Sequence, residues 1–584
     1  MPSDSLSESF PMTGIESLRP LLLGTRHMAV AGHYGAAHAA FLVLEGGGNA
    51  VDAGVAAGIA LGVLQSDLVN VAGVAPIMIY RADKRDVLTI SGLGTWPRAM
   101  TPDLFQKRHG GKIPQGILRT VMPAAPDAWI TALENYGTMS FGDCAAAALR
   151  FASSGFPMYG MMSDSIAMHA ADYARWPSSA AIYLPGNRPP RRGEIFVQAD
   201  LGRTLQYMAD QEKPAAAKSR AAGLQAARDA FYRGDIARAI VAYHAANGGL
   251  VTAQDLAEFR VAVEPPVKSR FAGIDMYSCA AWCQGPVLPQ MLAMLNGIEL
   301  KRMGHNSLDY AHVVTETIKL AFADRDRYYG DPRFVKVPVE TLLSEGYAEI
   351  RRTMVRPDRA WPQMPPSGEI PGFARRSAPL PTLESAAVGA HDTSYICVMD
   401  KDGNVFSATP SDTSYDTPVI PGTGLCPSSR GSQSWADPAH ASSAAAGKRP
   451  RLTPSPAIAI LPDGSPMPMG TPGGDVQAQA MLQVFLNMTV FDLNPQQAVE
   501  APRFASYSFP DSFEPHSYSP GVLHVESRVP KQVREGLAAR GHKVEDWPEF
   551  VWRAGAVCVL RKDRERGVIS AGADPRRPCY AVGW

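Results

Sequence analysis

HDTSYICVMDKDGNVFSATPSD, residues 391–412, is the stretch on which the fold turns. Two runs rich in β-branched and aromatic residues flank Asp400-Lys401-Asp402-Gly403-Asn404, a charged turn ending in Gly-Asn, and this spacing predicts a β-hairpin. Immediately upstream, residues 355–390 are Pro-rich, weakly periodic and poor in β-branched residues. A segment of that composition buries little apolar surface, so it is expected to be an exposed, mobile connection. Thr393 therefore stands where a linker meets a strand.

That position allows a specific chemistry. If the Asp392–Thr393 bond were cut, Thr393 would carry a hydroxyl and a free α-amine on one residue. An α-amine titrates near neutral pH, so it can accept the hydroxyl proton and make the residue nucleophile and base together. Before cleavage the same hydroxyl can attack the preceding carbonyl. A threonine opening a strand is also simply a good strand former. Downstream, Thr471-Pro472-Gly473-Gly474-Asp475 leads into VQAQAMLQVFLNM, a predicted helix. Successive glycine N–H groups at such a start can hold an oxyanion, or the pair can just make a tight turn.

Working outward, Gly46-Gly47-Gly48-Asn49 precedes AVDAGVAAGIALGVL, an Ala- and Leu-rich run that predicts a buried helix from Ala50 or Val51 with Asp52 in its first turn. APIMIY and RADKRDVLTISGLG predict a second hairpin, helices dominate residues 125–350, and PAIAILPDG and GAVCVLRK predict strands. The chain thus reads as helix-rich over its first two-thirds and strand-rich over its last third.

Composition limits the partners. The 584 residues include 56 basic and 56 acidic side chains, a balance that offers nothing to nucleic acid or an anionic membrane. No apolar run is long enough to span a bilayer. The N-terminus is acidic where a secretory signal is basic, and Leu21–Leu23 is too short for an h-region, so a cytoplasmic location is expected. The seven cysteines are scattered and odd in number, which predicts buried free thiols, with no metal site and no cofactor. Cys397 alternates with Thr393 and Tyr395 on one strand face and is expected to pack. His391, beside the scissile bond, is read as a linker residue.

Several blocks together resemble the γ-glutamyltransferase family: GGGNAVDAGVAAGIALGVLQ, AFADRDRYYGDPRFVKVPVETLLSEGYA, TSYICVMDKDGNVFSATPSD, KRPRLTPSPAIAILPDGSPMPMGTPGGDVQAQAMLQ, LNPQQAVEAPRF and AGADPRR, in that order along the chain. The resemblance implies an α+β fold, a four-layered αββα sandwich of the N-terminal-nucleophile hydrolase type. It implies self-cleavage into a large subunit, 1–392, and a small one, 393–584, that stay associated, with a dimer of such heterodimers as an open option. Thr393 is similar to the family nucleophile, Gly473 and Gly474 match its oxyanion-hole glycines, and Ser411 falls at a threonine that bonds the nucleophile's amine. Asp52 looks structural.

The departures concern substrate recognition. Leu93, in Ser91-Gly92-Leu93-Gly94-Thr95-Trp96-Pro97, falls where the family places its glutamate-binding arginine. Ser432 and Gln433 replace an acidic pair, and Leu452-Thr453 replaces a Ser-Ser pair, leaving the Thr453 hydroxyl. Thr413 and Arg430 complete the expected substrate-binding set, Arg430 as a charge supplied from another position. An isobutyl group cannot clamp a carboxylate as a guanidinium does. The expected activity is hydrolysis of a small carboxylated amide or an acylated amine, as in oxamate amidohydrolases and cephalosporin-type acylases, with water as acceptor. A genuine γ-glutamyltransferase or glutathione hydrolase is the alternative, and a non-maturing scaffold of the same fold a second.

Overall fold

The computed structural model describes residues 17–101, 103–373 and 393–584. The hairpin expected at 391–412 forms strands Ile396–Met399 and Val405–Ala408, in antiparallel register with Ile396 opposite Ala408. Asp400 Oδ1 accepts the backbone N–H groups of Asp402 (3.0 Å) and Asn404 (2.9 Å), so the charged turn is closed by its own first side chain.

Fourteen strands build two sheets. In chain order they are β1 (Leu22–Gly24), β2 (Met28–Ala31), β3 (Ile77–Arg81), β4 (Asp86–Ile90), β5 (Val263–Glu264), β6 (Val267–Phe271), β7 (Ile274–Ser278), β8 (Ile396–Met399), β9 (Val405–Ala408), β10 (Ala457–Ile460), β11 (Pro466–Gly470), β12 (Cys558–Asp563), β13 (Val568–Ala573) and β14 (Tyr580–Gly583). The first sheet runs β14-β2-β8-β9-β3-β4-β5 and the second β1-β13-β12-β11-β10-β7-β6. Both draw strands from each side of residue 393, so the helix-rich part of the chain contributes half of the sheet framework.

Side-chain alternation sorts the strands into layers. Met28, Val30, Met78, Tyr80, Tyr395 and Cys397 of the first sheet meet Ile458, Cys558, Leu560 and Ile569 of the second in one apolar layer. The alternate residues Ala29, Ala31, Ile77, Ile79, Ile396 and Val398 face a helical core. It is built from α1 (Tyr34–Glu45), α2 (Ala50–Leu64), α3 (Ala125–Tyr136), α4 (Phe141–Ser154), α5 (Gly160–Met168) and α6 (Ala199–Ala216). On the outer side of the second sheet, Ala457, Ala459, Met467 and Met469 pack on α7 (Val287–Leu295), α8 (Leu308–Tyr328) and α9 (Gln477–Thr489). The order is helix, sheet, sheet, helix: the expected αββα sandwich.

α2 begins at Ala50 as expected, buried over its whole length, with a capping box between Asn49 and Asp52. The Asp52 carboxylate also takes the N–H groups of Thr138 (2.8 Å) and Met139 (3.0 Å), which makes its role structural. All seven cysteines are buried and free, as expected.

The segment 355–390 was expected to be an exposed, mobile connection; its described part, 355–373, is largely exposed, as expected, and is also hydrogen-bonded to the protein. Trp361 N–H donates to Glu316 Oε2 (2.9 Å) and the Trp361 carbonyl accepts from Lys319 Nζ (2.9 Å). Gly368 N–H donates to Asp324 Oδ1 (2.8 Å), and Arg351 Nη1 donates to the Pro366 carbonyl (3.0 Å). A Pro-rich chain makes few hydrogen bonds with itself, and here the side chains of α8 and its neighbours supply them. Residues 374–392, including His391 and Asp392, lie outside the described residues.

Candidate active site

Thr393 sits three residues before β8, buried, and pairs with Ser411 in an isolated antiparallel bridge that Ser411 shares with Val74. Ser394 N–H donates to the Pro410 carbonyl (3.0 Å), and Gly32 N–H donates to the Tyr395 carbonyl (3.0 Å). A side chain at Gly32 would run into the Ser394 hydroxyl, so glycine is required for β2 to approach the threonine.

This register brings the hydroxyls of Thr393 and Ser411 to 2.7 Å. Arg430 Nη2 donates to the same Ser411 Oγ, and Arg430 Nε lies 3.7 Å from Asp412 Oδ1. Three expected residues are thereby joined in one chain: Thr393, Ser411 and Arg430. Arg430 thus faces the hydroxyl partner of Thr393. Its charge next to the hydroxyl pair favours negative charge developing on either oxygen.

Asp412 was not singled out from sequence. Its φ of 123° is left-handed, a strained conformation for a residue with a side chain. Its Oδ1 accepts from Ser429 N–H (2.8 Å) and Ser429 Oγ (2.7 Å), and its Oδ2 from Ser428 Oγ (2.5 Å). Asn70 Nδ2 holds its carbonyl at 2.7 Å. Desolvation pushes the Asp412 carboxyl up while the Arg430 guanidinium opposes it. Arg119, also missed, makes a buried ion pair with Asp416, its Nη1 donating to both carboxylate oxygens at 2.8 Å. Both were invisible locally, since the partners lie far along the chain or derive meaning only from the backbone they constrain.

The glycine turn forms as expected. Gly473 and Gly474 have φ of 125° and 56°, which only glycine adopts without strain at the first of these values. Asp475 anchors the turn, taking Ser512 N–H (2.8 Å), Ser512 Oγ (2.7 Å) and Arg325 Nη1. Desolvation and the Asp475 charge push the Asp511 carboxyl up to about 7. The turn follows β11, whose last residue, Gly470, leaves room for the ring of Tyr395. The threonine strand and the glycine-turn strand are thus packed against each other across the inter-sheet layer.

The remaining expected residues form a second chain. Gln433 Nε2 donates to Thr453 Oγ1 (2.8 Å), and Gln284 Nε2 donates to both the Thr453 carbonyl (2.9 Å) and the Gly474 carbonyl (3.0 Å). Gln433 Oε1, Ser432 Oγ and Thr413 Oγ1 are buried without a hydrogen-bond partner among the described residues. Leu93 and Leu452 lie in the apolar inter-sheet layer and present no polar atom. The segment carrying Leu93 reaches this region through Trp96, whose Nε1 donates to Ser434 Oγ (2.9 Å). Cys397 packs in the same layer, its thiol pushed up by burial, as its expected packing role requires.

The family profile described as Gamma-glutamyltranspeptidase matches residues 36–584. The chain belongs to the gamma-glutamyltranspeptidase family. Among members, it is similar to the acylase ACY 1 proenzyme of Pseudomonas sp. (strain SE83), 32% identical over 91% of this chain and 90% of that one. It is 29% identical to the glutathione hydrolase-like YwrD proenzyme of Bacillus subtilis (strain 168), over 96% and 99% of the two chains. The crystal structure of cephalosporin acylase from Bacillus halodurans superposes with a TM-score of 0.83 at 26% identity, covering 100% of this chain and 99% of that one. The sandwich is therefore the N-terminal-nucleophile hydrolase fold, and this family member is a hydrolase of amide bonds.

Proposed function

We propose that the protein is made as a precursor that cuts itself before Thr393 and then hydrolyses the amide of an acylated amine whose acyl group lacks an α-ammonium. The observation that carries the nucleophile is the 2.7 Å contact between the Thr393 and Ser411 hydroxyls, with Arg430 on the far side of Ser411. In maturation, Thr393 Oγ adds to the Asp392 carbonyl carbon, the peptide C–N bond breaks, and the acyl group passes to oxygen. Water then hydrolyses the ester, leaving residues 1–392 with a new carboxylate and residues 393–584 with a free amine. In turnover the amine takes the hydroxyl proton as Oγ attacks the substrate carbonyl, and hands it to the departing amine. The N–H groups of the Gly473-Gly474 turn serve the oxyanion. Water repeats the path and frees the acid.

The residue types around Thr393 support the substrate class. Leu93, Leu452 and Gln433 carry no carboxylate and no guanidinium, Gln433 Oε1, Ser432 Oγ and Thr413 Oγ1 are neutral hydrogen-bonding atoms, and the nearby Asp412 carboxylate is already engaged by Ser428, Ser429 and Arg430. An ammonium desolvated against such groups lacks its counter-charge and costs several kcal/mol. Names among the relatives, acylase ACY 1 and cephalosporin acylase, agree with this class. Two anilides that differ only by the ammonium test it. Glutaryl-p-nitroanilide is expected to exceed γ-glutamyl-p-nitroanilide in kcat/KM by about tenfold or more. Gln433→Asp should narrow that gap. A preference for the γ-glutamyl anilide in the unaltered enzyme would overturn the reading in favour of a glutathione hydrolase.

A further inference from the structure

A cavity of about 520 Å³ opens between α5, residues 550–552 and residues 575–580. Its size falls in the range that takes small organic ligands. Four arginines line it, Arg19, Arg192, Arg576 and Arg577, above an apolar floor that includes Met161, Met168 and Trp552. Arg576 is paired with Glu526 and Asp574, and two of the other three are held in place. Arg19 Nη1 donates to the carbonyls of Cys579 and Ala573, and its guanidinium lies 4.6 Å from the centre of the Tyr580 ring. Arg577 Nε and Nη2 donate to the Trp552 carbonyl at 3.2 and 3.0 Å.

Among the described residues, neither Arg19 nor Arg192 has a carboxylate within ion-pair distance. Gathering cations without such partners is unfavourable unless an anion joins them. A second feature points the same way. The cavity wall includes Gly160 and Met161, the first residues of α5, a helix whose N-terminus has no side-chain cap. Its open N–H groups and positive dipole end favour a negative ligand group. Asp164 is the acidic side chain in the lining, and it is exposed. His169 lies in the wall and stacks on Tyr415, with ring centres 3.6 Å apart.

We propose that this cavity binds an organic carboxylate with an aromatic or aliphatic body, the carboxylate meeting Arg19 and Arg192 and the body lying on Trp552 and the methionines. This site is separate from the Thr393 nucleophile and does not depend on its role. Calorimetric titration of the full-length protein with 4-phenylbutyrate and its neutral amide, 4-phenylbutanamide, tests it. The carboxylate should bind saturably at one site, and the amide about tenfold more weakly or worse. Arg192→Gln, at an exposed side chain whose guanidinium lies against Gly160, should weaken the carboxylate about tenfold and leave the amide unchanged. Full-length Thr393→Ala should bind the carboxylate as the unaltered protein does. Equal affinity for the two probes, indifference to Arg192→Gln, or loss of binding in Thr393→Ala would each overturn the proposal, the last by placing the probe at the nucleophile.

Discussion

Among single residues, Arg430 carries the most consequence after Thr393. It touches Ser411, which touches the Thr393 hydroxyl, so its charge stands one side chain away from the proposed nucleophile. A cation there lowers the proton affinity of a neighbouring amine, and the neutral amine is the active form. Arg430→Gln should therefore raise that proton affinity and move the acid limb of the kcat profile of the processed enzyme up by about one pH unit. A pH profile of purified, processed variant against the unaltered enzyme measures this, and an unmoved limb would remove Arg430 from the mechanism. Leu93 and Gln433 are read as missing charges from the letters alone, because a change of residue type at a motif position shows there, and the Gln433→Asp comparison is what tests that reading. Asp412 was not legible: its importance lies in a left-handed φ and in a cage of Ser428, Ser429 and Arg430 that no spacing rule encodes.

Among elements, those with local signals were read correctly and those held by distant groups were not. The hairpin β8–β9 announced itself through its charged turn, and α2 through Asn49, Asp52 and an unbroken apolar run. The segment 355–373 is largely exposed, as its composition suggests, but its tethers were not legible, because prolines speak only for what the chain cannot do by itself. Glu316 and Lys319 of α8, some forty residues earlier, hold Trp361 between them, and both are fully buried. Burial lowers the Lys319 ammonium, and the Glu316 charge opposes this. Removing one partner of such a pair leaves an uncompensated charge, so Glu316→Ala should cost about 3–5 kcal/mol. It should also release the strap, making Arg359 sensitive to trypsin where the unaltered protein resists. Thermal unfolding and a timed digest check both, and an unchanged digest would mean that other contacts suffice to hold the segment.

Across the whole molecule, four buried histidines link stability to pH. Burial lowers His33, His244 and His516 to about 4 and His542 to about 2, against an ordinary value of 6.5. His33 is held neutral for a purpose: its Nδ1 accepts Gly35 N–H at 3.1 Å and caps α1. Unfolded histidines bind a proton below pH 6.5 and these do not, so their contribution is intact above that value. It is lost as the pH falls from 6.5 toward 4, at about 1.4 kcal/mol per unit of depression for each group. The melting temperature should be level above pH 7 and drop steeply below 6. A flat curve down to pH 5 would show that the imidazoles gain water or partners that this packing does not provide.

The same scale holds the central claim, because self-cleavage converts one chain into two that share both sheets. β1–β7 would come from the large subunit and β8–β14 from the small one, so the cut ends should remain locked in one sandwich. Intact mass and N-terminal sequencing of the freshly purified and the long-incubated protein measure it most directly. The account predicts two co-purifying fragments, the smaller of 192 residues (584 − 392) and beginning Thr-Ser-Tyr-Ile, with Thr393→Ala remaining one chain. A single uncut chain after long incubation, or a Thr393→Ala variant still cut before residue 393, would contradict it.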